Sequence, residues 1–183
     1  MLATDVNPSA RSQTGTASRA GAEDGAIAGA GQYLTFRLGG EEFGIDILKV
    51  QEIRGYETPT VIVGAPPFVK GVLNLRGVIV PVVDLRLKFQ LAQVNFDEAT
   101  VTVILNFRGR VVGAVVDAVS DVAGLTPEQI KVVPEFSNPA AAGFITGMGV
   151  QRQDNQERMI LLIDIEQLMA GADIGLAHSG IHG

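Results

Sequence analysis

The sequence contains no cysteine and no tryptophan, and its only two histidines, His178 and His182, sit near its end. Disulfides and thiolate chemistry are therefore excluded, and the lack of cysteine suits a reducing cytoplasm. Neither a Ser-His-Asp arrangement nor a histidine metal cluster can be assembled from two terminal imidazoles. Aromatic residues make up only 5% of the chain, so a core must be built from Val, Ile and Leu. Basic residues are outnumbered 14 to 20, for a formal charge of −6. A nucleic-acid binder would normally carry a basic field, so that class is set aside. No apolar run approaches the ~18–20 residues of a membrane-spanning helix. Met1–Asp5 leads into small and polar residues with neither a basic start nor an apolar stretch, which reads against a signal peptide. The GxG of Gly147-Met148-Gly149 precedes a polar stretch rather than a helix, so it is no phosphate loop and no cofactor is expected.

What is present is organised around Gly71–Leu85, GVLNLRGVIVPVVDL. Its apolar runs predict two short strands joined tightly at Arg76-Gly77, with one guanidinium at the tip. That arginine either keeps a hairpin soluble or serves a partner. Pro81 donates no ladder hydrogen bond, so its strand is expected at an edge or with a bulge.

Along the rest of the chain, 1–31 lacks periodicity and is too poor in apolar residues to offset the entropy of ordering, which predicts a disordered tail. Order is expected from Gln32, where Leu34, Phe36 and Leu38 alternate with Tyr33, Thr35 and Arg37 as in a half-buried strand. Gly39-Gly40 turns it back into Glu41–Ile45. The spacing in Asp46–Arg54 fits either a helical turn or the next strand. Val61–Val63, between Pro59 and Pro66-Pro67, predicts a strand between loops. Thr126–Gln129 reads as a capping box with proline at the first helical position. Asp164–Met169 predicts a short closing helix ending at Gly171, and 171–183 reads as a flexible tail. Phe136, between Pro134 and Pro139, either folds onto the core or anchors a partner.

An internal repeat emerges from the glycines. A shift of 69 lays Leu34–Gly55 over Val103–Gly124, setting Gly40 on Gly109, Gly44 on Gly113, Gly55 on Gly124 and Glu52 on Asp121. A shift of 72 lays Gly71 on Gly143 and Gly77 on Gly149, and past a polar insert at Gln151–Arg158, Asp84 falls on Asp164. Repeats of this length suit two small barrels packed side by side, approximately 32–99 and 100–170. On this alignment Gly147-Met148 replaces Leu75-Arg76 at the second tip, so the charge occurs once, and Glu52 or Asp121 is its expected partner. Asp84 and Asp164 stand at apolar strand ends and are expected to act as strand-end caps rather than form a catalytic dyad. An enzyme is not expected.

VQEIRG (50–55), KGVLNLRGVIVPVVDLR (70–86) and VVGAVVDAVSDV (111–122) resemble the bacterial chemotaxis coupling protein CheW family, in the expected order from about Gln32 to Met169. The resemblance implies an all-β fold: two pseudo-symmetric, intertwined five-stranded SH3-like barrels with a few short helical segments, within one domain spanning 32–170. It implies a non-catalytic adaptor that couples methyl-accepting chemoreceptors to the histidine kinase CheA. Its partners would be the CheA regulatory domain and the receptors' cytoplasmic tips, in cytoplasmic arrays recruited beneath the membrane without insertion into it. Carried across position by position, the receptor-facing set is Val50, Glu52, Gly71, Arg76 and Val122, and the kinase or ring contact is Lys131 and Phe136. Gly71 would fit because bulk there blocks a partner's approach. A paralogue serving a pilus- or surface-sensing kinase, or an unrelated SH3-like peptide-binding module, are the alternatives.

Overall fold

The computed structural model describes residues 30–91, 95–133 and 143–170. The expected tails at 1–31 and 171–183 fall almost wholly outside these residues, as does Phe136. Among the described residues eleven strands run in order: β1 (Gly31–Leu38), β2 (Glu41–Asp46), β3 (Val50–Gly55), β4 (Val69–Leu75), β5 (Val78–Asp84), β6 (Val101–Phe107), β7 (Arg110–Val116), β8 (Ala118–Leu125), β9 (Ile130–Lys131), β10 (Ile145–Gln153) and β11 (Gln156–Ile163). Helix α1 (Leu85–Lys88) follows β5, and α2 (Ile165–Ala170) follows β11. Both readings of Asp46–Arg54 occur in succession, a 3-10 turn at Ile47–Lys49 and then β3.

The strands form two sheets, ordered β8-β1-β2-β11-β10-β9 and β3-β6-β7-β5-β4. The all-β, SH3-like reading stands, with the two-residue β9 added as a sixth strand to one sheet. The sheets trade strands reciprocally. Each joins the first two strands of one repeat to the last three of the other, so β8 pairs with β1 and β3 with β6. Parallel ladders seal the exchange, β5 on β7 and β11 on β2. The repeat alignment could show which strands are equivalent, not which pair.

The core follows from that exchange. Leu34, Phe36, Leu38, Phe43 and Ile45 from one sheet share a buried cluster with Val83, Val103, Leu105, Ala114 and Val116 from the other. Smaller clusters remain apart from it, Tyr33 with Ile160 and Leu162, and Leu73 with Val82 and Val115. Tyr33 and Thr35 are therefore buried as well, and the expected half-buried alternation of β1 is covered on both faces through its middle. Six-residue α2 is too short to persist alone. It is fixed by burial of Ile165, Leu168 and Met169, each adding roughly 1.5–3 kcal/mol, and by Asp164, which accepts from the Glu166 amide at 2.9 Å.

One sequence expectation needs correction, and a second is met locally. Val61–Val63 is not a strand: Thr60 alone makes an isolated bridge to Val72, and Val61 and Val63 are 75% and 98% exposed. The flanking prolines remove amide donors that a ladder would need. Pro81 lies within an interior strand, but pairing with β7 starts only at Val82, so that side of β5 is open beside Pro81.

Candidate functional site

The hairpin β4–β5 turns through Arg76 and Gly77, both at positive φ (52° and 87°), and the Asn74 side chain accepts from the Gly77 amide at 2.8 Å. Such a two-residue turn matches the twist of the flanking strands. Left-handed backbone costs a non-glycine residue roughly 1 kcal/mol, and Arg108 is held the same way (φ 50°) in the β6–β7 turn. Conformation alone therefore does not distinguish Arg76.

Its surroundings do. Arg76 Nη2 donates to Glu52 Oε2 at 2.8 Å, although β3 and β4 are opposite edges of their sheet. This contact bridges the two edges and gathers Glu52 and Arg76 at one corner. Val50 lies on the same strand as Glu52, half-buried against the core. Asp121, the other expected partner, is engaged elsewhere.

The remaining residues are placed apart. Val122 is 49% exposed on β8, in the other sheet. Lys131 is exposed on β9, opposite Met148. Gly71 is buried, with φ +142°, and a Cβ there would stand 2.0 Å from the Thr60 carbonyl oxygen. An internal backbone approach is thus sufficient reason for glycine at this position.

The second hairpin also departs from expectation. Gly71 faces Val82 beside the bulge in β4–β5, and Gly147 faces Leu162 beside the matching bulge in β10–β11. The true offset is 76 on the first strand and 80 on the second, so the added residues lengthen the hairpin. Its tip is Asp154-Asn155 rather than Gly147-Met148, and both tip residues have positive φ. A guanidinium does reach the position equivalent to Glu52: Arg158, from β11, donates to Asp121 Oδ1 at 2.6 Å.

That pair is an internal control. Arg158 also donates to Glu42 and to the Thr35 hydroxyl, and its side chain is 18% exposed against 76% for Arg76. The same charge pairing is locked into one barrel and displayed on the other. Hydrogen bonds from Arg158 hold the Glu42 and Asp121 carboxyls below their ordinary values of 4.5 and 3.8, with Thr35 assisting at Asp121. Depressed carboxyls add stability that is complete above those ordinary values and is lost as pH falls through the lowered ones. Arg158→Met should cost roughly 1–3 kcal/mol at neutral pH, and its deficit against wild type should shrink in acid unfolding titrations. A deficit independent of pH would mean that only packing was lost.

Three arginines that pair with carboxylates carry no signal in the sequence. Arg158 lies in a stretch whose composition reads as a polar insert. Arg54 and Arg86 stand within the recognised motifs, where nothing in spacing marks a side chain that turns toward a carboxylate. Among the described residues, no group of three His, Asp or Glu could hold a metal, and no helix is long and apolar enough to cross a membrane.

Comparison with known proteins gives a consistent picture. Residues 32–173 match the family model of the CheW-like domain. The chain is 54% identical over 145 residues to a chemotaxis protein CheW of Klebsiella aerogenes, covering 79% of this chain and 85% of that one. A probable chemotaxis protein CheW of Rhizobium etli is 34% identical over 139 residues, covering 76% and 87% respectively. Among solved structures, the scaffolding protein TtCheW from Thermoanaerobacter tengcongensis superposes with a TM-score of 0.65 at 28% identity, covering 74% of this chain and 89% of that one.

Proposed function

The chain belongs to the CheW-like family, and from that premise we propose that it is a non-catalytic adaptor joining chemoreceptors to the histidine kinase CheA. Its relatives are named as chemotaxis proteins, and a structural neighbour as a scaffolding protein. The observation that carries the site assignment is the displayed Arg76–Glu52 corner beside its immobilised counterpart Arg158–Asp121. Val50, Glu52 and Arg76 would meet the cytoplasmic tip of a methyl-accepting receptor, with Val122 reached from the neighbouring sheet. Gly71 would act indirectly, by holding the hairpin against Thr60. Lys131 and Phe136 would contact the kinase regulatory domain. The protein would work in the cytoplasm, recruited to receptor arrays without entering the membrane, as a single domain over 32–170.

The physical basis of such an adaptor is bivalency. Two partners held on one rigid body see each other at a high effective concentration. A difference in the adaptor's affinity between their signalling states would couple those states. Modest individual contacts suffice when the array multiplies them.

Arg76→Glu tests the assignment. It should abolish receptor-dependent kinase activation while the melting temperature stays within about two degrees of wild type, since the residue is exposed. A variant that unfolds would make the arginine structural, and one that activates normally would remove it from the site.

A further inference from the structure

Glu52 is held by two arginines. Arg54, two positions along β3, donates from Nη1 to Glu52 Oε1 at 3.3 Å, while Arg76 takes the other oxygen. Arg54 also lies 3.7 Å from Glu57, so the corner is an alternating chain of charge, Glu57, Arg54, Glu52, Arg76. The chain ends in the displayed guanidinium.

The locked pair in the other barrel shows the opposite arrangement. There one arginine, Arg158, is shared by two carboxylates, Glu42 and Asp121, and is thereby immobilised. At the Arg76 corner one carboxylate is shared by two arginines. The position equivalent to Arg54 under the shift of 69 is Ala123, which is buried and carries no charge. A second arginine is therefore not required by the fold of this strand.

The reversal has an energetic consequence. Glu52 is only 24% exposed at its side chain, and removing the sole partner of a half-buried carboxylate is costly. With Arg54 in place, Glu52 retains a charged donor when Arg76 turns away. The Glu52 carboxyl is held below the usual range first by the hydrogen bond from Arg54, and then by that from Arg76. Arg76 Nε and Nη1 meet no partner among the described residues, so the guanidinium keeps donors free for a second acceptor.

We propose that Arg54 is a positioning residue of the docking corner: it retains Glu52 so that Arg76 can exchange from Glu52 to an acceptor on the receptor. The proposal rests on the reading of this corner as receptor-facing, and the experiment separates the two. In Arg54→Ala, the Glu52 carboxyl, followed by carbon-13 NMR, should titrate at higher pH than in wild type. Binding to a chemoreceptor cytoplasmic fragment should weaken about fivefold, with the melting temperature unchanged. Arg54→Lys, which keeps the charge, should recover most of both. An unmoved Glu52 titration, or wild-type binding by Arg54→Ala, would overturn the proposal while Arg76→Ala still loses binding. Wild-type binding by Arg76→Ala would instead bring down the docking reading, and this proposal with it.

Discussion

Arg86→Met should destabilise the fold by about 3–5 kcal/mol, a drop in melting temperature of roughly 10–20 degrees for a domain of this size. Arg86 is fully buried, one of the few charged residues so placed. Its guanidinium grips Asp84 twice, from Nε at 3.0 Å and Nη2 at 2.9 Å, and reaches Asp117 at 3.0 Å and the Asn95 carbonyl at 2.5 Å. The Phe96 ring covers it, with Cζ 4.6 Å from the centroid. Removing the cation strands two carboxylates, one of them wholly buried, and takes one contact each from Asn95 and Phe96. Asp117 also accepts from the Gly39 amide at 2.8 Å, so the arginine ties α1 of one barrel to the β1–β2 turn of the other. Amide exchange should show Gly39 losing protection along with the global loss. Replacing Asp84 by leucine as well should restore part of the stability, because an apolar pair avoids the uncompensated charge. A single variant as stable as wild type would mean that the cluster adds nothing.

The opposite closing helix uses an inverted version of this tie. Glu166, equivalent to Arg86 under the shift of 80, binds Lys49 at 2.5 Å and Arg108 at 2.9 Å. Here the partners are solvent-accessible, with Arg108 largely exposed. Exposed pairs contribute little, so one inter-barrel tie is strong and the other weak.

Gly71→Val should destabilise by about 3 kcal/mol or more, combining steric overlap, backbone strain and two lost hydrogen bonds. The new Cβ would fall 2.0 Å from a backbone oxygen and 2.6 Å from the Thr60 carbonyl carbon, and neither is the movable end of a side chain. The backbone is left-handed at φ +142°, which a β-branched residue resists. Relief requires the Thr60 segment to move, breaking both 2.9 Å hydrogen bonds between Thr60 and Val72. Gly55→Ala is the matched control, with nothing within 4 Å of its Cβ position, and should be near neutral. Thermal unfolding of the two variants gives the contrast, and a Gly71→Val protein melting with wild type would refute the close-approach account. Loss of receptor binding in this variant should accompany loss of stability, unlike the loss expected for Arg76→Glu.

The hairpin at Gly71–Leu85 was legible because apolar runs around an Arg-Gly pair leave few other solutions, and the capping aspartates because each ends such a run. Asp84 does accept from the Arg86 amide, at 2.9 Å. The duplication was visible in glycines whose positions are fixed by turns and tight strand contacts. At Gly44 and Gly113 an added Cβ would stand only 3.0 Å from a neighbouring side chain. The strand exchange was hidden because equivalence between repeats says nothing about pairing. The second tip was misplaced because added hairpin residues shift glycine matches without disturbing the flanking pattern. Arg86 was hidden because a charge just after a strand looks like a surface residue until Asp117 is brought in from 31 positions away to meet it beside Asp84.

Co-sedimentation of the purified protein with receptor-bearing membranes and CheA, wild type beside Arg76→Glu, tests the adaptor account most directly. Wild type should pellet with the membranes and bring the kinase with it, whereas the folded variant should stay in the supernatant and leave the kinase there. Equal pelleting of both proteins, or of neither, would contradict it.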